Sequence, residues 1–363
     1  MRIPDNLQPP GRPFNDCGDG MNAGAPVELP SDVPVGFTLA QSLDRSLAVL
    51  ARHLESMLRC QPNIMKVAVE LLSGGTAESA IAEFVEQVEL KRMRSKLWAQ
   101  KFSDCCSVMR GVIGTLTDQQ HQQVVHEQNR ILSELHNIPD PVPAEVADAF
   151  DAIINSPNDF FDKLLELINL IKNGYLAGYE HLIKAYSDFF SDFNKEITAK
   201  MKEWIEGAND GKEVKLNAGQ MRSALQALIQ KYSHPNPASV LFPAPGMDGA
   251  TREEADNWRK ALGLPESCLK RNADGTYSVV MDMGPLTVML GSLPTSGTWV
   301  TWDTAKFQAW QTGFNAQEER LKNTLQSFTQ KYSNANSYHD NFNKTLSSHL
   351  NQFADMLKAM LNF

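Results

Sequence analysis

The sequence predicts a mainly α-helical protein, in which a long intramolecular antiparallel coiled coil carries an inserted mixed α/β domain and follows an N-terminal helical hairpin. Three observations predict it. From Lys306 to Phe363 no proline occurs, and residues recur at alternating three- and four-residue steps through Phe307, Trp310, Phe314, Leu321, Leu325, Phe328, Tyr332, Ala335, His339, Phe342, Leu346, Leu350, Phe353, Leu357 and Leu361. At 1.5 Å per residue this helix spans roughly 85 Å, and one narrow apolar stripe of that length is stable only when another covers it. The cover lies in the same chain, where Leu164, Ile168, Ile171, Tyr175, Tyr179, Leu182, Tyr186, Phe190, Phe193, Ile197, Met201 and Trp204 repeat the spacing. Between the two seams the pattern changes to short strand-like runs separated by turn formers.

Residues 1–36 are rich in Pro, Gly, Asn and Asp and read as a disordered leader. Residues 37–143 form the hairpin. Within it, Leu39, Leu43, Leu47, Leu50, Leu54, Met57 and Leu58 mark one helix, and residues 64–72 a shorter one stopped by Gly74 and Gly75. Residues 78–111 and 118–135 continue as helices until Pro139, Pro141 and Pro143 break the pattern. Residues 144–207 lead into the first coiled-coil helix, and residues 304–363 form the second. In the insertion, residues 208–303, strands are predicted at 214–216, 240–242, 277–283 and 298–303. Helices are predicted there at 218–232 and 251–262, and a turn at Asn272, Ala273, Asp274 and Gly275.

A net charge of −9 argues against a nucleic-acid partner, since phosphate neutralisation needs clustered Lys and Arg. The one basic cluster, Lys91, Arg92, Arg94 and Lys96, sits beside Glu86 and Glu89 and reads as a solvated helix face. No run of eighteen apolar residues occurs, so no conventional spanning helix is expected. The first twenty residues lack the apolar core of a secretory signal peptide. The five cysteines form no CxxC pair, and Cys105 and Cys106 read as buried thiols. His121 and His126 do not share a helical face, and no phosphate loop, nucleophile elbow or calcium loop occurs, so no catalytic, cofactor or metal site is expected.

The strings KFQAWQTGFNAQEE at 306–319 and LQSFTQKYSNAN at 325–336 resemble the needle-tip proteins of bacterial type III secretion, the IpaD/SipD/BipD family. The same resemblance covers YLAGYEHLIKAY at 175–186, VLFPA at 240–244 and LGLPESCLK at 262–270, and extends over about 160–349. It implies the fold already described, with a hairpin that shields the coiled coil before assembly and a leader that carries an export signal. It also implies a protein exported to the bacterial surface, ringed on the needle tip, which controls secretion and provides the platform for hydrophobic translocators during host-cell invasion. Several members of the family sense bile salts. An intracellular structural or chaperone-like coiled-coil protein is the alternative from the residues alone.

Two candidate sites follow. Gln330, Asn334, Asn336, Asp340 and Lys344 lie off or beside the carboxy-terminal seam, where polar side chains exposed on a rigid rod could orient a needle subunit or be an ordinary solvated face. Tyr175, Tyr179 and Tyr186, with Lys172 or Lys184 to meet an anionic group, offer a bile-salt cleft beneath the hairpin, unless the rings only fill the seam.

Overall fold

The computed structural model describes residues 38–73, 77–138, 142–150 and 156–361. The expected leader, residues 1–36, and the export signal expected in it therefore lie outside the described residues.

Helices α1 (Leu39–Arg59), α2 (Ile64–Ser73) and α3 (Ala77–Ile113) come first, and α1 and α2 both pack against α3. On α3 the buried residues follow an unbroken three-four rhythm: Phe84, Val88, Lys91, Ser95, Trp98, Phe102, Cys105, Met109 and Val112. Helix α4 (Asp118–His136) starts in a capping box, with Thr117 and Gln120 satisfying each other's backbone N–H. Helix α5 (Ala144–Phe150) follows.

The first rod helix begins with α6 (Pro157–Asn169), capped by Ser156, and continues as α7 (Ala177–Phe193) and α8 (Met201–Trp204). Two π-helical segments, Leu170–Leu176 and Asn194–Thr198, separate these pieces. Their wider turns fit the paired four-residue steps that the seam takes at Ile171, Tyr175 and Tyr179, and again at Phe193, Ile197 and Met201.

The second rod helix, α12 (Thr304–Leu361), runs unbroken for 58 residues, roughly 87 Å. Every seam residue predicted on it is buried except the half-buried Leu361. Ring contacts fix the direction of packing. Phe160 meets Phe353 at 5.8 Å, Tyr175 meets Tyr338 at 6.2 Å, and Tyr186 meets Phe328 at 5.1 Å between centroids. One number rises as the other falls, so the helices are antiparallel.

The insertion grows out of one end of this rod. Strand β1 (Ile205–Ala208) follows α8 directly and pairs antiparallel with β2 (Glu213–Leu216), Gly207 opposite Val214. The turn between them holds Asn209, Asp210 and Gly211 at φ of 53°, 51° and 84°, a left-handed run that Asn, Asp and Gly tolerate best. Helix α9 (Ala218–Lys231) comes next. Strands β3 (Val240–Phe242), β4 (Leu269–Arg271) and β5 (Tyr277–Val280) make a second antiparallel sheet in the order β3-β5-β4. Helix α10 (Arg252–Leu262) has a capping box from Thr251 and Glu254 and ends at left-handed Gly263, the residue type that position favours. After α11 (Gly284–Gly291), β6 (Val300–Asp303) pairs with β2, Lys215 opposite Thr301, and runs straight into α12. The sequence identified β2, β3, β5 and β6, but not β1, β4 or α11.

The second sheet is held to the rod by Trp258, whose ring stacks on Phe242 at 4.6 Å and meets Tyr179 at 4.8 Å. The ring lies so close to α7 that a Cβ at Gly178 would come within 2.7 Å of Trp258 Cη2. Two apolar cores result. One joins the insertion, α7 and α12 up to Ala335, and includes Phe84 and Val88 of α3. The other joins α1, the rest of α3 from Trp98, α4, α6 and α12 from Tyr338.

Candidate functional site

The sequence-predicted docking residues divide between two stripes of α12. Gln330, Asn334 and Lys344 are exposed, and Gln330 Nε2 donates to Asn334 Oδ1 at 3.0 Å. Asn336 and Asp340 are not exposed, at 5% and 4% of their surface. The connection between α1 and α2 and the face of α3 cover them: Gln61 Nε2 donates to Asp340 Oδ2 at 2.8 Å, Asn336 Nδ2 donates to Gln61 Oε1 at 3.2 Å, and Lys91 Nζ lies 2.8 Å from Asp340 Oδ2. A single polar layer thus ties the hairpin to the rod at the junction of the two apolar cores.

Lys91 corrects an expectation. It is no part of a solvated face but fully buried, because the three-four rhythm of α3 points it inward between Val88 and Ser95. Burial pulls its ammonium below the ordinary lysine range, against the support of Asp340. At Asp340 burial alone would raise the carboxyl, but His339, Lys91 and Gln61 together hold it below the usual carboxylate range. Arg92, one residue on, faces outward and reaches Glu180 at 3.5 Å.

The layer continues through His339, whose Nε2 is 2.9 Å from Ser95 Oγ and 3.0 Å from Asn343 Nδ2, while Nδ1 is 3.4 Å from Asp340 Oδ1. With the Asn343 amide donating, Nε2 accepts and Nδ1 carries the proton. Serine, histidine and aspartate stand here in the order of a hydrolytic triad. None is more than 4% exposed, so no substrate reaches the hydroxyl and the arrangement is a packed polar contact.

The sequence-predicted ligand residues are not brought together. Tyr179 and Tyr186 are buried in the rod core, and the Tyr186 hydroxyl donates to the Leu321 carbonyl at 3.3 Å instead of standing at a rim. Half-buried Tyr175 sits edge-on to Tyr179 at 5.4 Å. Lys172 is half-buried, and burial followed by Lys96 and Arg92 lowers its ammonium. Lys184 borders a groove of about 900 Å³ between α3, α7 and the insertion, whose lining does not include the other four. Its lining includes apolar Val85, Val88, Ile183 and Met247, the cations Arg92, Lys184 and Lys231, and the carboxylates Glu89, Glu180, Asp188 and Asp192. Lys184 reaches Glu89 at 3.4 Å. Burial pushes the Glu180 carboxyl up to about 7, with Arg92 and Lys172 opposing. The tyrosine stripe 175, 179, 186 and the groove stripe 177, 180, 181, 184, 188 are neighbouring faces of one helix, so the rings face the core and the groove takes the adjacent stripe.

Residues 63–361 match the sequence profile of the type III secretion systems tip complex components. The chain belongs to that family. Among tip complex relatives, the cell invasion protein SipD of Salmonella typhi is 43% identical over 57% of this chain and 62% of its own length. The invasin IpaD of Shigella flexneri is 37% identical over 57% of this chain and 61% of its own. The chain thus spans about three fifths of the length of the curated relatives it matches. A solved structure of the pathogenicity island 1 effector protein from Chromobacterium violaceum superimposes with a TM-score of 0.59, at 29% identity, over 87% of this chain and 96% of that one. The expected tip-protein family and its mainly α fold are therefore both found. Among the described residues no helix is long and apolar enough to cross a membrane, and no cluster of His, Cys, Asp and Glu could hold a metal. The sequence missed Gln61, Ser95, His339 and Asn343 as partners of the docking residues; the signal available was a lysine and a serine on the buried rhythm of α3.

Proposed function

We propose that the chain caps the type III secretion needle as a ring of copies, restrains secretion, and serves at the bacterial surface as the platform on which hydrophobic translocators assemble. The observation that carries this reading is the divided polar face of α12. Gln330, Asn334 and Lys344 are accessible, whereas Asn336 and Asp340 are held under the hairpin by Gln61 and Lys91. A needle subunit seated on the whole face therefore requires the hairpin to move, and the hairpin acts as a built-in chaperone until then. The variant carrying Asn336→Ala and Lys344→Ala should keep its helix content and fail to decorate needles. Normal decoration by that variant would sink the assignment of the face. Retention of the wild-type protein in the cell pellet, with export intact, would favour the intracellular structural alternative.

The groove supports bile-salt sensing. Its apolar lining fits the flat side of a steroid, and Lys184 with Arg92 can meet the anionic end. Deoxycholate added below micelle formation should shift amide resonances of α3 and α7 around Arg92 and Lys184. Lys184→Ala should weaken the response several-fold, and an unchanged spectrum of the wild-type protein refutes the site.

A further inference from the structure

We propose that the buried layer formed by Gln61, Lys91 and Ser95 against Asn336, His339, Asp340 and Asn343 is an acid-sensitive latch holding the hairpin on α12. The inference stands on this layer alone and does not depend on what docks at the needle.

The layer differs from what lies on either side of it. Along α3 the core contacts stop at Val88 and resume at Trp98, while along α12 the layer residues Asn336, His339, Asp340 and Asn343 alternate with buried Ala335, Tyr338 and Phe342. Over the Lys91–Ser95 stretch of α3 the attachment is therefore made by hydrogen bonds and one ion pair in a buried site, where each group depends on the charge state of the next. His339 is the group that can change within a physiological range. Its ring, 1% exposed, is held neutral: Nε2 accepts from the Asn343 amide with the Ser95 hydroxyl 2.9 Å away, and Nδ1 faces Asp340. Asp340 is already engaged by Lys91 and Gln61. A second proton on His339 would place an imidazolium beside the Lys91 ammonium with one carboxylate for both, and would remove the acceptor that the Asn343 amide uses.

The charged surroundings do not relieve this. Lys172 of the first rod helix adds to the positive field at His339, and Lys344 of α12 adds to it at Lys91. Cys60 and Tyr332 face the layer as ordinarily neutral groups, and Glu180 lies beyond Tyr332. Burial, the largest influence, keeps the His339 ring below its ordinary value of 6.5.

The sign follows from linkage. Closure is fully supported above 6.5, where His339 is neutral in both the closed and the opened forms. Below it the opened form takes up a proton that the closed form refuses, so closure weakens as pH falls. With an ordinary imidazole in the opened form, the open population rises by at most about tenfold between pH 7.5 and pH 5.5.

Hydrogen exchange by mass spectrometry on the full chain tests this, with rates corrected for the intrinsic pH dependence of amide exchange. Peptides covering 88–96 and 336–343 should open more than twofold, and up to about tenfold, more at pH 5.5 than at pH 7.5. In His339→Gln, which keeps a polar amide but does not titrate, the change should fall below twofold. A wild-type rise under twofold, or an equal rise in His339→Gln, overturns the latch. If that variant does not fold, the ring decides: a His339 signal still neutral at pH 6 supports the proposal, and one half-protonated at 6.5 or above overturns it.

Discussion

Replacing Lys91 by methionine should loosen the hairpin far more than removing both members of its ion pair. At 2.8 Å and an effective dielectric near 20, the Lys91–Asp340 attraction is about 6 kcal/mol. Both side chains are almost without solvent, at 0% and 6% exposure, and each ion gave up several kcal/mol of hydration to be there. The pair therefore contributes a net near zero against an apolar replacement, while either member alone is a buried charge with no counter-ion. Lys91→Met and Asp340→Leu should each cost about 3–5 kcal/mol. The double variant should recover to within about 1 kcal/mol of the wild type, giving a coupling nearly as large as the two single losses together. Urea unfolding followed by far-ultraviolet circular dichroism measures all four proteins, provided their slopes agree. Additive losses in the double variant, or single losses below about 1 kcal/mol, would show that water reaches the pair and that the layer is not closed.

Two further outcomes are expected. Phe328 is fully buried against Tyr186 in the middle of the rod, so Phe328→Ala should cost about 3–5 kcal/mol, and an unchanged thermal midpoint would mean the seam is misassigned. Glu180, with its carboxyl raised to about 7 by burial, favours the protonated form when folded; the stability this contributes is present below the unfolded value of 4.5 and lost as pH rises to about 7. Glu180→Gln should therefore match the wild type near pH 4.5 and exceed it by about 2–3 kcal/mol above pH 7.5, and equal pH profiles would refute the burial effect.

The rod was legible because its signal is long. The predicted α12 seam from Phe307 to Leu357 is buried throughout, and a period sustained over so many turns leaves no competing assignment. Lys91 was legible in principle and misread, because composition around it, with Arg92, Arg94 and Lys96, outweighed its position on the same rhythm as Phe84, Val88, Trp98 and Phe102. Asn336 and Asp340 do lie off the predicted seam; what the sequence could not provide is that a second layer of helices covers that flank. The tyrosine stripe lies beside the groove and not in it for a related reason. Periodicity separates an apolar face from a polar one, but Tyr179 and Lys184 sit on adjacent stripes, and only packing decides which one borders the groove. Strands β1 and β4, four and three residues long, are too short to carry an alternating pattern of their own.

The sheet of β1, β2 and β6 makes the two halves of the rod unequal. Because β1 continues α8, β6 runs into α12, and both pair with β2, backbone hydrogen bonds clamp the two long helices together at that end. At the opposite end Phe160 and Phe161 meet Phe353 through side chains alone. The rod is therefore built like a clothes-peg, sprung at the sheet and free to part only at its jaws. Sliding one helix along the other would break strand register, whereas spreading the jaws breaks none of it. The hairpin is packed on the length nearer the jaws, so its departure leaves the clamped end as it was and changes what the jaws can grip.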